Sequence, residues 1–430
     1  MNTTKNEIFQ PEIKVKEVSI ENFRGFENIK LAFQPDLTVL IGENGAGKTA
    51  ILDCLAWFLT VLQEHIQYGE FKNPAKLFDL SDIKQGKFKI NNRVDLSLEK
   101  AQIYCDIYLN QKTGELRFNH NCNNISVTLI IEPMHHPTRT NLPLAVYYPA
   151  NNAPVNTIDF KNASDNFATD IFSAYKGALD KKSFDFINFF NWYRWQENIE
   201  SQIGKNRVLD AVREAIYNIL SDDYNQFDKL SINWLNNPNG EMMICKGDTP
   251  LNINQLSSGE KTLLALVSDL ARRLAIANPH RENPLKGNGV VLIDEVDLHL
   301  HPRWQRAVVP QLQKTFPNCQ LIVTTHSPLL LSNISHKNVI ILEDFQPVKI
   351  TPHTFGRDNN SILYELMGVK QRPDEIQQQF DKVYKLIDEG KKAEARTLLD
   401  TLSKDLGEND VAIVQAYVSL DFMDIDDETN

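Results

Sequence analysis

The sequence has no CxxC pair, and its five cysteines, Cys54, Cys105, Cys122, Cys245 and Cys319, are odd in number and far apart. That pattern argues against a zinc site or a disulfide framework and suits a reducing cytoplasm. No apolar run reaches the roughly 20 residues that a bilayer span needs, so no membrane transporter is expected. The opening MNTTKNEIFQPEIKVKE lacks the apolar stretch of a signal peptide. Sustained heptads are missing, which argues against a long coiled-coil arm. Basic surplus is missing too: 45 basic against 56 acidic residues leave a net charge of −11. Contact with nucleic acid would therefore need a local basic patch or a partner.

What is present is globular. Hydrophobic residues make up 42% of 430 residues, enough for one large domain with an insertion or for two or three domains. IKVKEVSIEN and NIKLAF read as strands, and LTVLIG as a buried strand that ends in glycine. A helix is expected from Lys48 to about residue 63, with Leu52, Leu55, Leu59 and Leu62 on one stripe. VDLSL, QIYCDIYL and ISVTLII suggest an antiparallel sheet, followed by a loop rich in proline and histidine and a strand LAVYYP. Residues 151–225 read as a mostly helical insertion that carries the aromatic helix FDFINFFNWYRWQENIES. Those aromatics could stack bases, but burial is the better reading. GVVLID and NCQLIVTTH look like central parallel strands with polar residues at their carboxyl ends. Ile376, Phe380, Val383 and Ile387, then Ala395, Leu398, Leu399 and Leu402, predict a helical hairpin after Pro373. The acidic tail DFMDIDDETN is expected to fray.

GENGAGKT, from Gly42 to Thr49, fits GxxxxGK[ST] between an apolar strand and a helix. Glycines let the backbone curl so that N–H groups point at phosphate oxygens, and the helix start adds partial positive charge. Gly42, Asn44, Gly45, Ala46, Gly47, Lys48, Thr49 and Ala50 are the candidate cradle for ATP. Lys48 would reach the terminal phosphates, and the Thr49 hydroxyl would bind Mg²⁺. VVLIDE carries Asp294 and Glu295 to a strand tip. Asp294 would hold Mg²⁺ through water, and Glu295 would orient the attacking water. His299 and His301 in LHLHP lack the i, i+4 spacing of a helix-borne zinc pair, so a structural or contact role is expected.

LSSGEK, from Leu256 to Lys261, opens another helix. Together with GENGAGKT, VVLIDEVDLHLHP and TTHSP it resembles the ABC-type ATPase head, in the branch of SMC, RecF and RecN proteins. The resemblance spans about residues 13–342 without the insertion. It implies an α/β P-loop head, a RecA-like parallel sheet joined to an antiparallel β-subdomain. It also implies that Ser257, Ser258 and Gly259 bind the γ-phosphate held by a second copy, in a head-to-tail dimer around ATP. Ser258 departs from the glycine, and Glu260 from the glutamine, usual in transporters. His326 matches the switch histidine, and Asp297 the aspartate that links the two sites. Arg24 in NFRGF matches an arginine near the phosphates, and Gln85 is a candidate Mg²⁺-sensing glutamine.

The expected organisation is residues 1–150 and 226–372 for the two halves of the head, 151–225 for the insertion and 373–430 for the hairpin and tail. With its short helical insertion, LIDEVDLHLHPRWQ, FPNCQLIVTTHSP and the tail FDKVYKLIDEGKKAEARTLLDTL, the layout resembles that of the PtuA ATPases of Septu-type anti-phage systems, also found with some retrons. That resemblance implies a partner HNH nuclease, PtuB, which the ATPase regulates. Two other readings stay open: a RecF-like repair ATPase, and a nucleotide-bound assembly scaffold with slow or vestigial hydrolysis.

Overall fold

The computed structural model describes residues 10–69, 80–87, 89–98, 101–110, 115–120, 134, 140–150, 170–180, 186–235, 237–349, 352–370 and 372–428. The expected strand ISVTLII, Cys122, the histidines at 135 and 136 in the proline- and histidine-rich loop, and residues 151–169 and 181–185 of the expected insertion lie outside them. The described chain divides into two compact units, residues 1–357 and 358–430.

The first unit is organised by five parallel strands that are mostly apolar. Strands β3 (Leu37–Gly42), β7 (Leu144–Tyr148), β11 (Gly289–Ile293), β12 (Cys319–Thr324) and β13 (Val339–Glu343) pair in the order β13-β3-β12-β11-β7. The short β14 (Gln346–Pro347) extends the β13 edge antiparallel. Every residue of β7, β11 and β12 is buried, as a sheet covered on both faces requires. The order puts the carboxyl ends of β3, β12 and β11 side by side.

A second sheet is antiparallel, β2-β1-β4-β5-β6, built from β1 (Ile13–Glu21), β2 (Asn28–Ala32), β4 (Lys89–Leu98), β5 (Ala101–Asn110) and β6 (Glu115–His120). One buried amide on β12 joins it to the parallel sheet. Gln320 Nε2 donates to Val15 O at 2.9 Å and to Gln34 O at 2.7 Å, and its Oε1 accepts from Val15 N at 2.7 Å. A third sheet, β10-β9-β8, comprises β8 (Phe227–Asn233), β9 (Glu241–Lys246) and β10 (Thr249–Asn252).

Helix α1 (Lys48–Tyr68) follows β3 and is buried on several faces. Helices α2 (Phe186–Ile203) and α3 (Arg207–Leu220) pack on α4 (Ser258–Ala277). They are fastened to β8: Tyr193 Oη donates to Leu230 O at 2.6 Å, and Ile232 N donates to Glu197 Oε2 at 3.1 Å. The helical part of the expected insertion is therefore built into the head, because its aromatic face serves as core. Phe186, Phe189, Phe190, Trp192 and Tyr193 are buried, while Trp195 is 39% exposed. Helices α5 (Pro302–Thr315) and α6 (Pro328–Leu331) follow β11 and β12.

The second unit contains α7 (Asn359–Met367), α8 (Asp374–Asp388), α9 (Lys392–Leu406) and α10 (Val411–Glu428). It corrects the expected hairpin and the expected boundary at 373. Phe380, Val383 and Ile387 of α8 and Ala395, Leu399 and Leu402 of α9 share one core with Ile413, Ala416 and Leu420 of α10. A third helix thus covers the apolar stripes that two helices would leave open. The acidic tail, expected to fray, continues α10 to Glu428. Arg372 reaches both oxygens of Asp410, at 2.7 and 2.9 Å, and ties the start of α8 to the start of α10.

Candidate active site

The site begins where β3 runs out. From Gly42 the chain turns through exposed Asn44 and Gly45 and enters α1 at Lys48. Gly47 precedes the helix at φ 100°, and a Cβ there would stand 2.4 Å from the ring of buried Phe26. Only glycine meets both demands. Phe26 packs edge-on against Phe345 at 5.3 Å, so an aromatic pair supports the loop from beneath. The first-turn N–H groups of α1 have no intrahelical partners and carry the helix's positive end.

Lys48 folds back over this loop. Its Nζ donates to Gly42 O at 2.9 Å and to Glu43 O at 3.0 Å. Burial pulls its proton affinity below that of free lysine, and Asp294 and Glu295 restore part of it. Thr49, one residue on, donates from Oγ1 to Asp294 Oδ2 at 2.8 Å. The loop and the acidic strand tip, 245 residues apart in sequence, are thus in contact.

Asp294 is 5% exposed, and both its carboxylate oxygens are engaged: Thr324 Oγ1 donates to Oδ1 at 2.6 Å. Glu295 follows at φ 50°, in the left-handed region, and is half-buried. The next turn is pinned to the end of β12. Asp297 accepts from Thr325 Oγ1, and Ser327 N donates to that same hydroxyl at 2.9 Å. Gln305 on α5 accepts from Ser327 Oγ at 2.8 Å and donates to Leu300 O at 3.1 Å. Half-buried His326 sits between these two anchored neighbours. His301 caps α5, its Nδ1 accepting from Arg303 N at 3.4 Å.

Helix α4 starts with a capping box. Ser257 Oγ accepts from Glu260 N at 3.3 Å, and Glu260 Oε2 accepts from Ser257 N at 2.7 Å. Ser257 and Ser258 are exposed, while Gly259 is buried. A Cβ on Gly259 would lie 2.7 Å from His299 O, so the helix start lies directly on the turn after Asp297. Lys246 Nζ contacts Glu260 Oε1 at 2.7 Å. Burial works against the Glu260 carboxylate, but the hydrogen bonds from Lys246 and Ser257 hold its pKa below the usual range. Lys246 thus offsets a negative charge at a helix start that would otherwise repel an anion.

Of the residues expected at the site, the loop, Lys48, Thr49, Asp294 and Glu295 come together, with His326 at the neighbouring strand end. Ser257, Ser258 and Gly259 form a separate helix start. Arg24 contacts α1 directly: at φ 49° it meets Asp53 Oδ2 of that helix at 2.7 Å and Asp82 Oδ1 at 3.0 Å. Burial opposes its charge, but the two aspartates raise its pKa above arginine's usual value. Gln85 lies exposed in a turn whose neighbours bond Asn22 and pair with Phe23. Among the described residues no hydrogen bond joins it to Thr49 or Asp294, so the expected metal role has no geometric support. Sequence reading missed Phe26, Lys246, Thr324 and Thr325. TTHSP carried the two threonines, but nothing in the string tells which carboxylates they meet.

Helix α4 and strand β7 share a buried ionic cluster behind the site. Asp269 contacts Arg272 at 2.7 Å and Arg273 at 2.6 Å and accepts from Tyr148 Oη at 3.0 Å. The carbonyl of that same Tyr148 accepts from Asp294 N at 2.9 Å. On the other face of β7, Tyr147 Oη donates to Asp53 Oδ1 at 3.1 Å. The two tyrosines therefore connect the acidic strand tip with α4 on one side and α1 on the other.

Residues 37–332 match the family model described as "AAA domain, putative AbiEii toxin, Type IV TA system". The chain belongs to this family. It is 29% identical over 481 aligned positions to "Retron Ec83 probable ATPase" of Escherichia coli, across 95% of this chain and 87% of that protein. It is 28% identical to "Retron Vc95 probable ATPase" of Vibrio cholerae serotype O1 biovar El Tor, across 84% and 80%. "Septu protein PtuA" of Bacillus thuringiensis is 23% identical, across 95% and 93%. This member of the AAA family is therefore similar, over nearly its whole length, to retron ATPases and to Septu PtuA proteins.

Proposed function

We propose that the protein binds Mg–ATP in the loop before α1, hydrolyses it, and closes head to tail with a second copy around the nucleotide. The observation that carries this reading is the contact of Thr49 with Asp294 at 2.8 Å, which joins a phosphate-type loop to an acid pair. Lys48 needs only to exchange two loop carbonyls for phosphate oxygens. The hydroxyl of Thr49 and the carboxylate of Asp294 are hard oxygen donors side by side, the set that Mg²⁺ prefers, and they would hold it. The ion would supply positive charge against the terminal phosphates. Glu295 accepts a proton-side contact from the attacking water and orients it, and His326 contacts the γ-phosphate. The exposed Ser257 and Ser258 offer a hydroxyl and helix-start N–H groups to the nucleotide held by the other copy.

The full-length likeness to retron ATPases and Septu PtuA proteins supports a role in anti-phage defence. In that role the ATPase state would govern a partner HNH nuclease. Phosphate release by the wild type in Mg–ATP, falling by about 100-fold or more in Glu295→Gln with nucleotide affinity kept, is the expected result. Equal rates for the two proteins would remove the hydrolytic assignment. Co-purification with a neighbouring HNH protein tests the defence role.

A further inference from the structure

Thr324 ends a strand that is otherwise mostly apolar, and it is fully buried. Its hydroxyl accepts from Glu295 N at 2.7 Å and donates to Asp294 Oδ1 at 2.6 Å. The direction is fixed: an amide N–H can only donate, so the one hydroxyl proton goes to the carboxylate. The carbonyl of Thr324 accepts from Val296 N at 3.0 Å. One residue thus grips three successive residues of the acidic strand tip. Within that grip Glu295 stands at φ 50°. A side chain other than glycine keeps such a conformation only where its surroundings hold it. The second oxygen of Asp294 is taken by Thr49, so the Thr324 hydroxyl is what fixes the carboxylate from the β12 side.

We propose that Thr324 is a positioning residue for hydrolysis. Its hydroxyl holds the Glu295 backbone in the left-handed turn and sets the rotation of the Asp294 carboxylate. It acts through these two acids and touches neither water nor nucleotide. The proposal rests on the ATPase reading above. The bland alternative is that Thr324 only satisfies buried polar atoms, which would affect folding and nucleotide binding as much as turnover.

The test uses the full-length protein as wild type, Thr324→Val, Thr324→Ser and Glu295→Gln. Affinity for Mg²⁺ with a non-hydrolysable ATP analogue is measured by calorimetry, and kcat and KM are measured separately by phosphate release. Thr324→Val is expected to lose about 10- to 100-fold in kcat, the size of one lost hydrogen bond to a charged group. Its analogue affinity stays within about threefold, and Thr324→Ser keeps most of the wild-type kcat. Wild-type kcat in Thr324→Val overturns the proposal. So does an equal loss in Thr324→Ser, or a loss of analogue affinity that matches the loss of kcat. If Thr324→Val does not fold, Thr324→Cys replaces it under the same outcomes. A wild type that binds the analogue but releases no phosphate would instead overturn the ATPase reading, and the proposal with it.

Discussion

At the scale of single residues, the account turns on charge held close to backbone. Lys48 is desolvated and points its ammonium at two loop carbonyls, Gly42 O and Glu43 O. No other lysine or arginine lies within the stretch Gly42 to Thr49. Lys48→Ala is therefore expected to abolish measurable ATP binding in calorimetry, while the melting temperature stays close to that of the wild type. Unchanged affinity would contradict the cradle. Arg24 is a different case. Its two aspartate partners give it a structural role at α1 in this conformation. A functional motif match and a salt bridge can share one arginine, and its sequence could not reveal Asp53 and Asp82 as partners.

At the scale of elements, two contacts connect helix α4 with the segments around the acidic strand tip. The first is Gly259 against His299 O. Gly259→Ala puts a methyl 2.7 Å from that carbonyl, so the helix start and the turn after Asp297 must separate. ATP turnover is expected to drop about tenfold or more, with Lys48-side nucleotide affinity kept. Full turnover would show that the two segments act independently. The second is Tyr148 Oη of β7 donating to Asp269 on α4 at 3.0 Å, where Arg272 and Arg273 of the same helix also contact that carboxylate. Burial works against this carboxylate, but Arg273 and Arg272 hold its pKa below the usual range. Asp269→Asn leaves both guanidinium groups short of their partner and is expected to cost about 3–5 kcal/mol in urea unfolding. The pH sign follows: a depressed carboxyl stabilises the fold above its unfolded pKa, about 3.9, and that stability fades as pH falls through the lower folded value. The wild type should therefore lose more stability below about pH 4 than Asp269→Asn does. Identical acid slopes would contradict the pairing.

At the scale of the whole molecule, the parallel sheet and its polar strand ends were legible because buried parallel strands are written as near-continuous apolar runs: LTVLI, GVVLI and CQLIVT. The phosphate loop and acid pair followed from local motifs at those ends. What was not legible depended on packing partners. The α2–α3 pair reads as part of an insertion between two stretches of strands; burial of its aromatics was expected, but that they pack against α4 and β8 of the head shows only in the contacts. The third helix of the second unit was hidden by its acidic end, although Ile413, Ala416 and Leu420 keep helical spacing. Strand β6, ELRFNH, is too short and polar to stand out from its turn. Thr324 and Lys246 needed distances, because each gains its role from a carboxylate far off or uninformative in sequence.

The central claim is that a nucleotide is held from two sides, by the loop at Lys48 of one copy and the helix start at Ser257 of another. The direct test mixes two full-length proteins in a Glu295→Gln background, one carrying Asn44→Cys and the other Ser258→Cys, with a short bismaleimide. Both positions are exposed. A covalent dimer that appears only with ATP and Mg²⁺ is the predicted result. No cross-link at saturating ATP and Mg²⁺, with both proteins folded and ATP bound, would contradict it.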